Sequence, residues 1–144
     1  MKKTRLYLSC LKLKPNIIMG DKRKVMIVED DLILNLLYES YLERLGFETE
    51  GELVYGKTAI ETAKNLNPDL IIMDISLEGE IDGIEAMLEI RKFSNVPVIY
   101  ITGNSDPYHV KRAEETDYID YLAKPIEFDD LKMSVEAYFR NRTP

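Results

Sequence analysis

The 144-residue sequence predicts an α/β domain, a doubly wound sheet of five parallel strands covered on both faces by helices. Three observations carry this. Short apolar runs alternate with stretches whose apolar residues fall three and four apart. The connections between them are short. The most apolar run, Leu70 to Met73, is unbroken rather than alternating, which suits a strand buried on both faces.

The length suits one domain with a single sizeable core, and there is no internal repeat or low-complexity segment. No apolar run approaches the length that spans a membrane. A single cysteine, Cys10, excludes an intramolecular disulfide and accords with a reducing, cytoplasmic compartment. The lone histidine, His109, cannot build a zinc site with one cysteine, has no nucleophile beside it, and reads as a surface residue of the fourth helix. Charge is unevenly placed. Residues 1–24 hold eight Lys or Arg and one acid (+7), the other 120 hold 11 basic and 25 acidic residues (−14), and the chain carries −7. So acidic a body argues against nucleic acid as a partner and favours cations or basic protein surfaces.

Residues 1–20, MKKTRLYLSCLKLKPNIIMG, form a basic leader expected to be disordered, with the organised domain over 21–144. Lys12 and Lys14 interrupt its apolar part and no small-residue cleavage site follows, which argues against a signal peptide. A membrane-touching arm is the competing reading, as is an upstream start site with Met19 the alternative start, and no membrane partner is expected.

The first strand is Lys24 to Val28, followed by three acids, Glu29, Asp30 and Asp31. A helix follows, with Leu34, Leu37, Tyr38, Tyr41, Leu42 and Leu45 on one face and Gly46 as its stop. Phe47 to Val54 reads as a weaker, alternating strand. Lys57 to Leu66 reads as a helix with Ala59, Ile60, Ala63 and Leu66 inward. The third strand ends on Asp74. Gly83 opens a third helix with Ile84, Met87, Leu88 and the stem of Arg91 inward. Pro97 to Ile101 is the fourth strand, ending at Thr102-Gly103. Ser105 or Asp106 caps a fourth helix with Pro107 at its first position. Asp117 to Leu122 is the fifth strand, ending near Lys124-Pro125. Leu131, Val135, Tyr138 and Phe139 mark a last helix, after which no linker or second domain is expected.

Polar residues fall at the carboxyl ends of four strands: Glu29 and Asp30, then Asp74, Thr102 and Lys124. In open parallel sheets ligands bind there, where the strand order reverses. Three carboxylates brought together would repel unless a cation joins them. A hard divalent ion with oxygen ligands is the natural answer, and magnesium suits a site that keeps several waters. Each residue alone has a plainer explanation, such as acids favouring a helix start. Their recurrence at equivalent strand ends does not.

The motifs VMIVEDD, DLIIMDISLEGEIDG, VIYITGN and YLAKP, in this order, resemble the receiver domain of two-component response regulators, over roughly Asp21 to Arg140. The resemblance implies a flavodoxin-like (βα)5 fold with strand order 2-1-3-4-5. It implies that Asp74 accepts a phosphoryl group from a histidine kinase or phosphotransfer protein, and that Glu29, Asp30, Asp74 and the Ser76 backbone carbonyl hold Mg²⁺. It further implies that Thr102 and Lys124 contact the phosphoryl group, that Tyr121 is the aromatic switch paired with Thr102, and that the Lys124-Pro125 bond is cis. Catalysis would be limited to the domain's own phosphorylation and dephosphorylation. The output would leave through the surface of helix 4, strand 5 and helix 5, to a separate protein or to a second copy in a homodimer.

The loop from Asp74 to Asp82 departs from the commonest family pattern. It is one residue longer, lacks the usual proline, and carries Glu78, Glu80 and Asp82. Glu29 stands where either acid occurs. Two rival readings remain. An aspartate-dependent phosphatase of the haloacid dehalogenase type needs a second Asp where Ser76 stands, and an interaction module that is never phosphorylated would have no use for the intact acids, Thr102 and Lys124.

Overall fold

The computed structural model describes residues 22–50, 55–103, 107–140 and 142. The leader, and the expected cap at Ser105 or Asp106, lie outside the described residues. The strands are β1 (Lys24–Val28), β2 (Glu48–Thr49), β3 (Leu70–Asp74), β4 (Val98–Thr102) and β5 (Asp120–Ala123). The helices are α1 (Leu32–Arg44), α2 (Gly56–Leu66), α3 (Gly83–Ile90), α4 (Pro107–Glu114) and α5 (Phe128–Arg140). All pairings are parallel and the sheet runs β2-β1-β3-β4-β5, the flavodoxin-like order.

Side chains alternate across the sheet, and two separate cores result. Met26, Ile71, Met73, Val98 and Tyr100 pack with Ala59 and Ala63 of α2, Ile84, Met87 and Ile90 of α3, and Ala113 of α4. Val25, Ile27, Leu70, Ile72, Ile99 and Ile101 pack with Tyr38 and Leu42 of α1 and with Leu131 and Val135 of α5. Every residue of β3 and β4 is buried, as the unbroken apolar runs required.

Three details differ from the sequence reading. In α1 the buried positions are Asn35, Tyr38 and Leu42, while Leu32, Ile33, Leu36 and Leu37 are exposed. The helix is apolar nearly all round, so spacing alone did not select a face. The described part of β2 is two residues, not Phe47 to Val54; Glu50 N still reaches Val25 O at 3.2 Å, and residues 51–54 lie outside the description. Finally, β5 begins at Asp120 rather than Asp117, because Asp117 takes a left-handed conformation (φ 55°) that breaks the extended run.

Register at the carboxyl ends sets the site. Val28 of β1 lies beside Met73, and Asp74 beside Ile101, so Glu29, Asp74 and Thr102 leave three adjacent strands at nearly one level. At the start of α3, Gly83 N donates to Ile75 O at 2.9 Å. A Cβ on Gly83 would stand 2.2 Å from the Asp74 carbonyl oxygen, whereas one on Gly103 would meet nothing within 4 Å. Gly83→Ala is therefore expected to lose about 1–3 kcal/mol of stability in urea unfolding. Gly103→Ala should stay within about 0.5 kcal/mol of the parent.

Candidate functional site

Asp74 ends β3, an apolar strand that fixes its backbone, and its side chain is only 3% exposed. Its Oδ1 accepts a hydrogen bond from Ser76 N at 3.1 Å, and its Oδ2 lies 3.2 Å from Lys124 Nζ. Lys124 Nζ is also 3.0 Å from Oε1 of Glu29, which is 1% exposed. One ammonium thus stands between two buried carboxylates. The Lys124-Pro125 peptide bond is cis.

The three acids that follow β1 divide their work. Asp31 is the N-cap of α1, its Oδ1 accepting from Ile33 N at 2.9 Å and Leu34 N at 3.1 Å. Glu29 Oε2 accepts from Asp31 N at 3.0 Å, and Asp30 Oδ2 accepts from Glu78 N at 2.9 Å. Oxygens of Glu29, Asp30 and Asp74 lie within 4.8 Å of one another.

The donor set fits a hard divalent cation. It is all oxygen, and three carboxylates with one ammonium leave a formal charge of −2. Glu29 Oε1 is buried and sits in ion-pair range of Lys124 without a directed hydrogen bond. Burial pushes the Glu29 carboxyl up to about 7; the nearby Asp74 charge adds to this, while the Asp31 N–H and Lys124 oppose it. Burial also pulls the Lys124 ammonium down, but Glu29 and Asp74 outweigh it and its pKa is raised. The two shifts have different origins: burial drives the Glu29 carboxyl up against the pull of Lys124, whereas the two carboxylates hold the Lys124 proton in place.

The remaining expected residues are placed as follows. Thr102 ends β4, fully buried, in register with Ala123. Tyr121 is half-buried on β5, its ring 6.2 Å from that of Tyr100 and 5.8 Å from that of Tyr118. Ser76 is exposed in the loop after β3. His109 is half-buried on α4, edge-on to the Tyr108 ring at 5.4 Å.

Some residues at and near the site were not read from sequence. Asn35 is buried beneath it and donates to Glu29 O at 3.3 Å; a lone amide in an apolar helix was its only signal. The long loop is tied down by its own acids. Glu80 pairs with Lys57 on the surface, and Asp82 caps α3 and pairs with Arg112 of α4. Nothing local announces Arg112, whose partner is 30 residues away.

Without metal, the Glu29 shift has a definite sign. Its folded pKa of about 7 exceeds its ordinary 4.5, so the fold binds an extra proton between these values. The resulting stability is fully present below about 4.5 and is lost as pH rises through about 7. Urea unfolding in chelator should show this decline. Glu29→Gln should flatten it and add about 1–3 kcal/mol at pH 8.

Residues 25–136 match the response regulator receiver domain family. The transcriptional regulatory protein PdtaR of Mycobacterium tuberculosis is 34% identical over 114 residues, 79% of this chain and 55% of that protein. The chemotaxis protein CheY of Thermotoga maritima is 30% identical over 106 residues, 73% of this chain and 88% of that one. Among solved structures, a two-component response regulator from Clostridium difficile superposes with a TM-score of 0.77 at 26% identity, covering 85% of this chain and all (100%) of that one. The signal receiver domain of a modulated diguanylate cyclase from Desulfovibrio desulfuricans gives 0.76 at 34% identity, covering 83% and 95%. The chain spans about half the length of the curated relatives it first matches (55% and 50%).

Proposed function

The chain belongs to the response regulator receiver domain family, and from that membership we propose that it is the receiving end of a phosphorelay, with Asp74 as the phosphoacceptor. Receiver domains are signalling modules rather than classical enzymes. One observation carries the reading: a buried carboxylate at a strand end with Lys124 Nζ 3.2 Å away and two further acids gathered beside it. Nothing comparable is needed to cap a helix, a task Asp31 already performs.

In this reading an Asp74 carboxylate oxygen attacks the phosphorus of a phosphohistidine on a histidine kinase or phosphotransfer protein. The new O–P bond forms as the N–P bond breaks, and the imidazole leaves with the electron pair. The reaction is mainly a matter of positioning and of stabilising charge on the transferred group. Ser76 N fixes one Asp74 oxygen and leaves the other facing Lys124. Lys124 then pairs with the incoming phosphoryl oxygens, and Thr102 donates its hydroxyl to one of them. Magnesium held by Glu29, Asp30, Asp74 and the Ser76 carbonyl would supply further charge neutralisation. Residues 21–144 form the working domain, and the basic leader takes no part in the chemistry.

With acetyl phosphate and Mg²⁺, one base-labile phosphoryl group per chain is expected by mass spectrometry. Asp74→Asn should carry none, and labelling of that variant at the parent's level would overturn the assignment. Asp30→Asn should weaken Mg²⁺ at least tenfold by calorimetry, about 1.4 kcal/mol or more.

The output surface is that of α4, β5 and α5, presented to a downstream protein or to a second copy of the chain. The phosphoryl group brings roughly −1.5 to −2 charges. Thr102, drawn toward it, would open space into which Tyr121 moves, and a coupling of about 1–3 kcal/mol suffices to bias that surface. Thr102→Ala is expected to accept the phosphoryl group yet lose most of the phosphorylation-dependent NMR shifts around Tyr121. Equal shifts in both proteins would sink this coupling.

A further inference from the structure

The loop that follows Asp74 reaches α4 by a path that does not pass through Thr102. It is anchored at its start by Ser76 N on Asp74 Oδ1 and, two residues on, by Glu78 N on Asp30 Oδ2. At its end stands Asp82. Asp82 Oδ1 accepts from Glu85 N at 2.8 Å, and Glu85 Oε1 accepts from Asp82 N at 2.8 Å, a reciprocal cap on α3. The same carboxylate receives Arg112 of α4 through two bonds, Nη1 to Oδ2 at 2.8 Å and Nη2 to Oδ1 at 3.2 Å. Both side chains are about three-quarters buried (23% and 26% exposed), so this is not a solvated surface pair. Arg112 also lies over the Tyr108 ring at 5.4 Å, on the exposed side of α4.

We propose that the Asp82–Arg112 bridge is a second mechanical link between the phosphoacceptor loop and α4, working beside the Thr102 route. The inference rests on Asp74 being the phosphoacceptor. A planar guanidinium gripping both carboxylate oxygens transmits direction as well as distance, which a lysine cannot do. The loop is pinned to Asp74 and Asp30 at one end, so a change of charge at Asp74 displaces it. Asp82 is both the end of that loop and the N-cap of α3, tied to the helix by the reciprocal bonds with Glu85, so it moves with the helix. Arg112 must follow or let go, and either response reaches the outer face of α4. Arg112 and Asp82 are positioning residues here, touching neither the phosphoryl group nor a metal.

The test uses the full chain with beryllofluoride and Mg²⁺ as the phosphoryl mimic, read by amide NMR. Four proteins are compared: parent, Arg112→Gln, Asp82→Asn and the double variant. Asparagine still caps α3 through its side-chain oxygen, so Asp82→Asn removes charge without removing the cap. Shifts around Asp74 should persist in all four, and labelling by acetyl phosphate should stay within about twofold. The mimic-dependent shifts from Tyr108 to Glu114 should fall by at least half in each single variant, with the double variant no worse than either. Such non-additivity marks a shared interaction. Arg112→Lys should recover only part of the response.

Unchanged α4 shifts in both single variants would overturn the bridge while leaving the phosphoacceptor assignment intact. So would strictly additive losses, which would point to separate packing roles. Absence of shifts around Asp74 in the parent would instead bring down the phosphoacceptor reading, and the bridge's signalling role with it.

Discussion

The site depends on one cation that belongs to the protein. Lys124 stands 3.0 Å from Glu29 and 3.2 Å from Asp74, two carboxylates that are almost wholly buried. Without it the apolar strands would deliver like charges into a poorly solvated corner, a costly arrangement. With it the corner is tolerable, although burial, and after it the Asp74 charge, still hold the Glu29 carboxyl up at about 7. Three carboxylates against one ammonium leave a formal charge of −2 on an all-oxygen donor set, which fits a dication.

Position is secured by backbone rather than by side-chain bulk. The parallel sheet brings the ends of β1, β3 and β4 to one level, and helix starts take up the acids that lie outside the cluster. Asp31 caps α1 and Asp82 caps α3, while Glu29, Asp30 and Asp74 turn toward one another. Gly83 lets α3 begin against the Asp74 carbonyl. The site therefore inherits its rigidity from the fold and needs few dedicated supports.

Much of this was legible in the sequence. The unbroken runs Leu70 to Met73 and Pro97 to Ile101 read as central strands, and the structure has strands there within a residue at each end; the polar residues at their ends lie at the candidate site. Faces were harder. Helix α1 carries apolar residues all round, so periodicity assigned Leu37 inward, whereas Asn35 takes a buried position to reach the Glu29 carbonyl. Boundaries depended on local dihedrals, and Asp117 in its left-handed conformation delayed β5 in a way that composition does not encode. Long-range partners such as Arg112 with Asp82 were invisible because they are set by how α3 and α4 lie together.

The sheet divides the interior into two cores with no shared side chains, one beneath α2, α3 and α4 and the other beneath α1 and α5. Substitutions on opposite faces are separated by a layer of hydrogen-bonded backbone, so their stability costs should sum. A lineage can then remodel the α1–α5 side while conserving the opposite side, or the reverse. Such a partition makes the domain modular in an evolutionary sense. Each half can be repacked on its own, while the rim of acids is carried by strands that both cores share.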